Sequence, residues 1–259
     1  MLLNSAEIAA WVGSFLWPLF RVAALVTVAP IFGARMIPRR VRLMIILALT
    51  WAILPFIKSV PVIEPLSPAG VLVVAQQILI GLSMGFLFRL AFTALELGGL
   101  IIATQMGLGF ASLVDPQNGA QSPLLSQFYT LLGTLVFLGL NGHLMLVQLL
   151  VDSFAVLPVA TGGVDRDLLW TLVIWVSRMF AGAILISLPA IASLLVVNLA
   201  FGVMTRAAPQ LNIFSVGFPI TLVLGLLILL YSLPTLLYQL NNLFTDAFES
   251  IGPLLGGTG

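Results

Sequence analysis

Cysteine is absent, and with it go disulfides, thiolate metal sites, iron–sulfur clusters and cysteine nucleophiles. Histidine occurs once, as His143, which excludes a multi-histidine metal site. Charge is scarce: 7% of the 259 residues are charged, against roughly 25% in an average soluble domain. Ten Lys/Arg face nine Asp/Glu, a net charge of +1. No basic excess is available to neutralise nucleic-acid phosphates, so no nucleic-acid partner is expected. These shortages exclude an ordinary cytosolic enzyme. The apolar content excludes a disordered tail.

What the chain has is apolar surface. Hydrophobic residues make up 61% of it, and the mean hydropathy is +1.19. Such a chain is solvated largely by lipid or by other protein. Six apolar runs stand out, at about 8–34, 43–57, 69–104, 124–151, 168–204 and 213–240. Runs of this kind predict an all-α protein of membrane-type helices. The second run is short and contains Pro55, which weakens it as a span. The third and fifth are too long for one untilted span. The first basic residue is Arg21, already inside the first run. The opening segment therefore lacks the positive start of a signal peptide and is expected to stay in the mature chain.

The breaks differ in chemistry. Residues 35–42, RMIPRRVR, hold four of the ten basic residues. If all six runs crossed a membrane, loops 35–42, 105–123 and 205–212 would share one face. The positive-inside rule would put that face in the cytoplasm and both termini outside. No repeat of 20–50 residues is evident.

Ionisable residues inside apolar runs are costly and need partners. They are Arg21, Arg89, Glu96 and Arg178. Three arginines against one glutamate leave charge that water, backbone carbonyls or another subunit must satisfy. Two readings stand: a lined conduit or subunit interface, or snorkelling of the side chains to headgroups. Arg178, near the middle of its run, favours the first; snorkelling is easier for Arg21.

Residues 105–123, QMGLGFASLVDPQNGAQSP, are too apolar for a free surface loop and too rich in Gly and turn residues for a helix. Irregular backbone at membrane depth survives only inside protein or beside a water-filled cavity. The segment reads either as a re-entrant plug or as an ordinary hairpin with apolar packing. A phosphate loop is disfavoured, because the third glycine and the lysine of those motifs are missing. Gly81-x-x-x-Gly85 and the series Gly217, Thr221, Gly225 have the spacing of helix-packing seams. Pro18, Pro30, Pro55, Pro189, Pro219 and Pro234 are expected to interrupt or kink the runs. His143 has no credible nucleophile or orienting acid beside it in sequence. It reads as a packed or interfacial histidine, and no catalytic residue, metal or cofactor is expected.

Three stretches together resemble one family: APIFGARMIPRRVR at 29–42, GLGFASLVDPQNG at 107–119 and APQLNIFSVGFP at 208–219, with NGHLML at 141–146 in support. The chain resembles the R-subunit (FliR) family of type III secretion export gates, in its flagellar branch. The resemblance covers essentially the whole chain. It implies a non-enzymatic subunit of a hetero-oligomeric helical gate, built of kinked helical hairpins. It implies a P-like half at about 1–167 and a Q-like half at about 168–259. Implied partners are FliP and FliQ in the gate, FlhB and FlhA beside it, membrane lipid, and unfolded flagellar proteins in transit. The implied place is the bacterial inner membrane at the flagellar basal body.

The resemblance also implies that the central loop plugs the pore. Here that loop carries Met106, Gly107, Gly109, Phe110, Val114, Asp115 and Pro116. Met106 and Phe110 would be bulky closers, and the glycines would let the loop move aside. Arg206, Pro209, Gln210 and Asn212 would form the cytoplasmic tip of a hairpin near FlhB. Much of the apolar helix surface would face other subunits rather than lipid. The rival readings are an injectisome gate subunit, a small-solute transporter using Arg89, Glu96 and Arg178, and an intramembrane enzyme using His143.

Overall fold

A computed structural model of the chain describes residues 5–34, 36–57, 61, 63–65, 67–108, 124–160, 166–207 and 213–254. All regular structure among them is helical: α1 (Ser5–Val28), α2 (Arg39–Ile53), a 3-10 turn (Leu54–Phe56), α3 (Pro68–Gln105), α4 (Leu124–Gly139), α5 (Gly142–Val156), α6 (Arg166–Ala207) and α7 (Ile213–Leu254). The all-α expectation holds.

The run at 124–151 divides into two helices. Asn141 breaks it by adopting the left-handed conformation, with φ 57 and ψ 25. Asparagine is one of the few residues that enters this region readily. Its carbonyl then accepts from the N–H groups of Leu144 and Met145 and opens α5. The prolines interrupt less than expected: Pro18, Pro189, Pro219 and Pro234 all lie inside continuous helices.

Among the described residues, α3, α6 and α7 contain stretches long and apolar enough to cross a membrane, or four spans result if α4 and α5 make one broken span. Six runs therefore do not give six spans. Helix α2 has 15 residues, about 22 Å at 1.5 Å per residue, short of a hydrocarbon core of roughly 30 Å.

Two compact units divide the chain: Met1–Leu90 with Leu140–Val176 and Thr245–Gly259, and Ala91–Gly139 with Ser177–Phe244. Each draws on residues from both sides of position 167.

The first unit is organised on a glycine seam. Gly81 and Gly85 of α3 lie against α1. A Cβ on Gly81 would collide with the Arg21 carbonyl oxygen and stand 2.9 Å from Ala24 Cβ. One on Gly85 would stand 3.0 Å from the Leu25 oxygen. Backbone meets backbone here because neither residue has a side chain. Helix α3 starts on Ser67, whose hydroxyl accepts from the Gly70 N–H at 3.1 Å, and Pro68 fits the first helical position.

The second unit is centred on Phe92, Phe137 and Phe244, with ring centroids 5.2–5.7 Å apart. Gly133 leaves room for Leu95, and Gly99 lies against the Ser126 backbone, 2.8 Å from Cα to a would-be Cβ. Ser126 donates to the Glu96 carbonyl at 2.8 Å. In both units, helix hydroxyls such as Thr50, Ser83, Thr130 and Ser187 donate to the carbonyl one turn back. That disposes of polar hydrogens without a solvent partner.

Candidate functional site

Three polar or strained features carry the chain's unusual chemistry. The first is Arg21, which is fully buried in the first unit. Snorkelling is therefore not its role. Its Nε donates to Gln77 Oε1 at 2.8 Å. Nη1 donates to the Ser153 carbonyl at 2.8 Å and to Ser153 Oγ at 3.0 Å. Nη2 donates to the Leu157 carbonyl at 2.7 Å. The guanidinium carbon stands 4.1 Å from the Phe154 ring centroid. None of these acceptors is a carboxylate. The positive charge is met by carbonyl dipoles, one amide, one hydroxyl and a ring face. Arg21 thus ties α1 to α3 and to the end of α5. Gln77 keeps its Nε2 without a hydrogen-bond partner.

The second feature is the turn after α1. Ile31 has φ 73, a conformation a β-branched residue rarely adopts. The Phe32 N–H donates to the Pro30 carbonyl at 3.0 Å, closing a three-residue turn around it. A Cβ on Gly33 would collide with the Thr27 carbonyl oxygen. Arg42 then covers the exposed carbonyls: Nε donates to Phe32 at 3.3 Å, and Nη2 donates to Gly33 at 3.1 Å and to Ala34 at 2.9 Å. Of the basic cluster, Arg39 and Arg40 are left exposed on α2. Arg35 lies outside the described residues.

The third feature, in the second unit, is the end of α3. The Leu108 N–H donates to the Ala103 carbonyl at 3.0 Å, and the Gly107 N–H to the Thr104 carbonyl at 3.1 Å. Gly107 has φ 82. This is a Schellman cap with glycine in the left-handed position. Gly107, a loop glycine by sequence alone, ends the helix. The signal was present, because a glycine two residues past the last helical residue is a common stop. Met106 is buried, 1% exposed, and lies over Gly225 of α7.

The other expected site residues are dispersed. Arg89 and Arg178 are exposed and Glu96 is half-buried; each engages another group of the chain. Arg206 is exposed in the last turn of α6. Gly109, Phe110, Val114, Asp115 and Pro116 lie outside the described residues, as do Pro209, Gln210 and Asn212. His143 is the second residue of α5 and half-buried, with Nδ1 lacking a hydrogen-bond partner. Among the described residues no group of three His, Asp or Glu could hold a metal ion.

The second unit also carries an apolar groove of about 610 Å³ between α4 and α7, lined by Leu124, Phe128, Leu131, Leu226 and Leu230 among others. The remaining surfaces of α6 and α7 are strongly apolar. Only 28% of the apolar stretch of α6 and 17% of that of α7 is buried within the chain. Leu195, Val196, Leu199 and Leu230 are all more than half exposed. Patches of this size mark contact with lipid or with other protein.

The sequence profile of the bacterial export proteins, family 1, matches residues 12–247. The flagellar biosynthetic protein FliR of Escherichia coli (strain K12) is 37% identical over 254 residues, 97% of this chain and 96% of its own length. The FliR of Aquifex aeolicus (strain VF5) is 35% identical over 230 residues, 89% of each chain. The FliR of Bacillus subtilis (strain 168) is 30% identical over 249 residues, 95% of this chain and 96% of its own. Matched nearly end to end by these relatives, the chain belongs to the bacterial export proteins, family 1.

Proposed function

We infer that this chain is a core subunit of the flagellar type III protein export gate and that its work is mechanical rather than catalytic. The observation that carries this is its near-full-length relation to FliR proteins of distant bacteria. The apolar outer surfaces of α6 and α7 support it, because they suit a subunit surrounded by other helices and lipid. The partners are the gate subunits FliP and FliQ, with FlhB and FlhA adjoining. The site is the bacterial inner membrane at the flagellar basal body. The cargo is unfolded flagellar protein.

The loop that follows the buried Met106 and the Gly107 cap, with Gly109, Phe110, Val114, Asp115 and Pro116, acts as the plug of the resting channel. Arg206 with Pro209, Gln210 and Asn212 forms the cytoplasmic tip facing FlhB. Arg178 contributes to a subunit contact. The direct test is native mass spectrometry of the tagged chain extracted in mild detergent. One copy of this chain among several small apolar subunits is the expected result. A lone monomer or homodimer would point to a transporter instead. For the plug, deleting residues 110–116 is expected to leave assembly intact and make the membrane leaky to ions. A tight membrane around an assembled deletion gate would remove that role.

A further inference from the structure

The last residues of α3 are fastened twice. The backbone is closed by the Schellman cap, with the carbonyls of Ala103 and Thr104 bonded to Leu108 and Gly107. The Met106 N–H also donates to the Ile102 carbonyl at 2.9 Å. The N–H groups of three successive residues, Met106, Gly107 and Leu108, are thus all bonded back into the helix. The second fastening is a side chain. A Cβ built on Gly225 would stand 2.6 Å from Met106 Cε, 2.7 Å from Cγ and 2.9 Å from Sδ. Three atoms of the methionine therefore occupy the space that any other residue at 225 would claim. Methionine is unbranched and adapts to such a shallow hole. Gly225 itself is buried on α7.

We propose that Met106 seated on Gly225 is a fixed anchor of the α3 terminus, closed in the resting and the exporting gate alike. The proposal rests on the export-gate reading above. It makes Gly225 a positioning residue, because it sets where α3 ends and where the following segment departs. It also reverses the role expected for Gly107. That glycine takes a positive φ to stop a helix, and it is part of the anchor rather than a hinge.

The absence of cysteine from this chain makes the test clean. Met106→Cys and Gly225→Cys are introduced together into the full chain at its native locus, within the assembled gate. A Cβ at 225 stands 2.7 Å from Met106 Cγ, the place that the sulfur of Met106→Cys takes, which leaves the two thiols within reach of a disulfide. Treatment with an added thiol oxidant is expected to join the pair within one chain in nearly every copy. Neither single variant should show that link. The joined gate is expected to secrete flagellar proteins within twofold of the reduced gate.

Failure of the pair to join in an assembled gate overturns the anchor. So does any loss of secretion beyond twofold on oxidation that reverses on reduction, because the seat would then have to open. Two controls separate the anchor from the reading it rests on. Undiminished secretion after removal of the whole chain would sink the export role. A tight 110–116 deletion would sink the plug. In either case the yield of the cysteine link still reports the seat.

Discussion

Arg21 is one side chain holding three segments, and its fork of donors fits the site in a way that a lysine does not. Nε, Nη1 and Nη2 each reach a different partner, on α3, on α5 and just past the end of α5. A planar fork of fixed donors makes this possible; a lysine ammonium concentrates its donors at one point. Arg21→Ala leaves buried acceptors without donors as well as a void. The expected loss is on the order of 3 kcal/mol, at the upper end for one stranded buried polar group. Thermal melting of the detergent-extracted protein would show it. Arg21→Lys should recover only part of that loss; full recovery would mean that charge alone suffices. The sequence marks Arg21 as a costly residue in an apolar run. Its partners are not legible there, because they lie 56 to 136 positions away. Gly81 is different: its seam shows in the four-residue spacing, and only its contact with Arg21's own carbonyl needed the structure. Gly81→Val should separate α1 from α3 and sharply reduce the chain's accumulation in membranes, measured by immunoblot. Normal levels would mean that the seam can open without cost.

At the scale of elements, helix existence was readable because long apolar runs have few alternatives. Boundaries were readable where local chemistry sets them. The Ser67-Pro68 start of α3 is one such case, and Ser67→Ala is expected to cost about 1 kcal/mol through the lost cap. A melting shift indistinguishable from zero would mean that tertiary packing alone fixes this end. The Gly107 stop was half-legible. The glycine stood out, but a stop and a loop glycine look alike until the helix is known to reach Gln105. Gly107→Ala should cost about 1–2 kcal/mol for forcing a Cβ into the left-handed region. The split between α4 and α5 is only half-legible, because the run at 124–151 is strongly apolar on both sides of Asn141-Gly142-His143. Asn141-Gly142 was the only local sign, and it is decisive because Asn141 takes a positive φ. The prolines misled in the other direction. A proline removes one donor and strains one turn, yet α7 continues through both Pro219 and Pro234.

For the molecule as a whole, uniform composition hid the two compact units, since α3, α6 and α7 each pass from one unit to the other without a change in residue type. The family was legible only through short motifs. One of them now has a physical reading: APIFGARMIPRRVR supplies the turn at Ile31, the glycine that follows it and the Arg42 that covers the carbonyls of Phe32, Gly33 and Ala34. What the chain alone does not account for is the apolar outside of α6. Gly202 sits there, exposed, and a Cβ on it would meet nothing within 4 Å. In an isolated helix, Gly202→Ala should be stabilising by up to about 1 kcal/mol, because alanine is the better helix former. On the export-gate reading, a glycine among Leu199, Val203 and Met204 would give a neighbouring helix its closest approach, and a methyl group there would hold that helix off. The expected outcome is therefore split. The Gly202→Ala chain should accumulate in membranes at wild-type level or above, while recovery of the intact gate falls several-fold on native gels. Equal recovery of chain and gate would mean that the partner helix approaches α6 elsewhere. Loss of the chain itself would mean that the glycine serves a contact within this subunit.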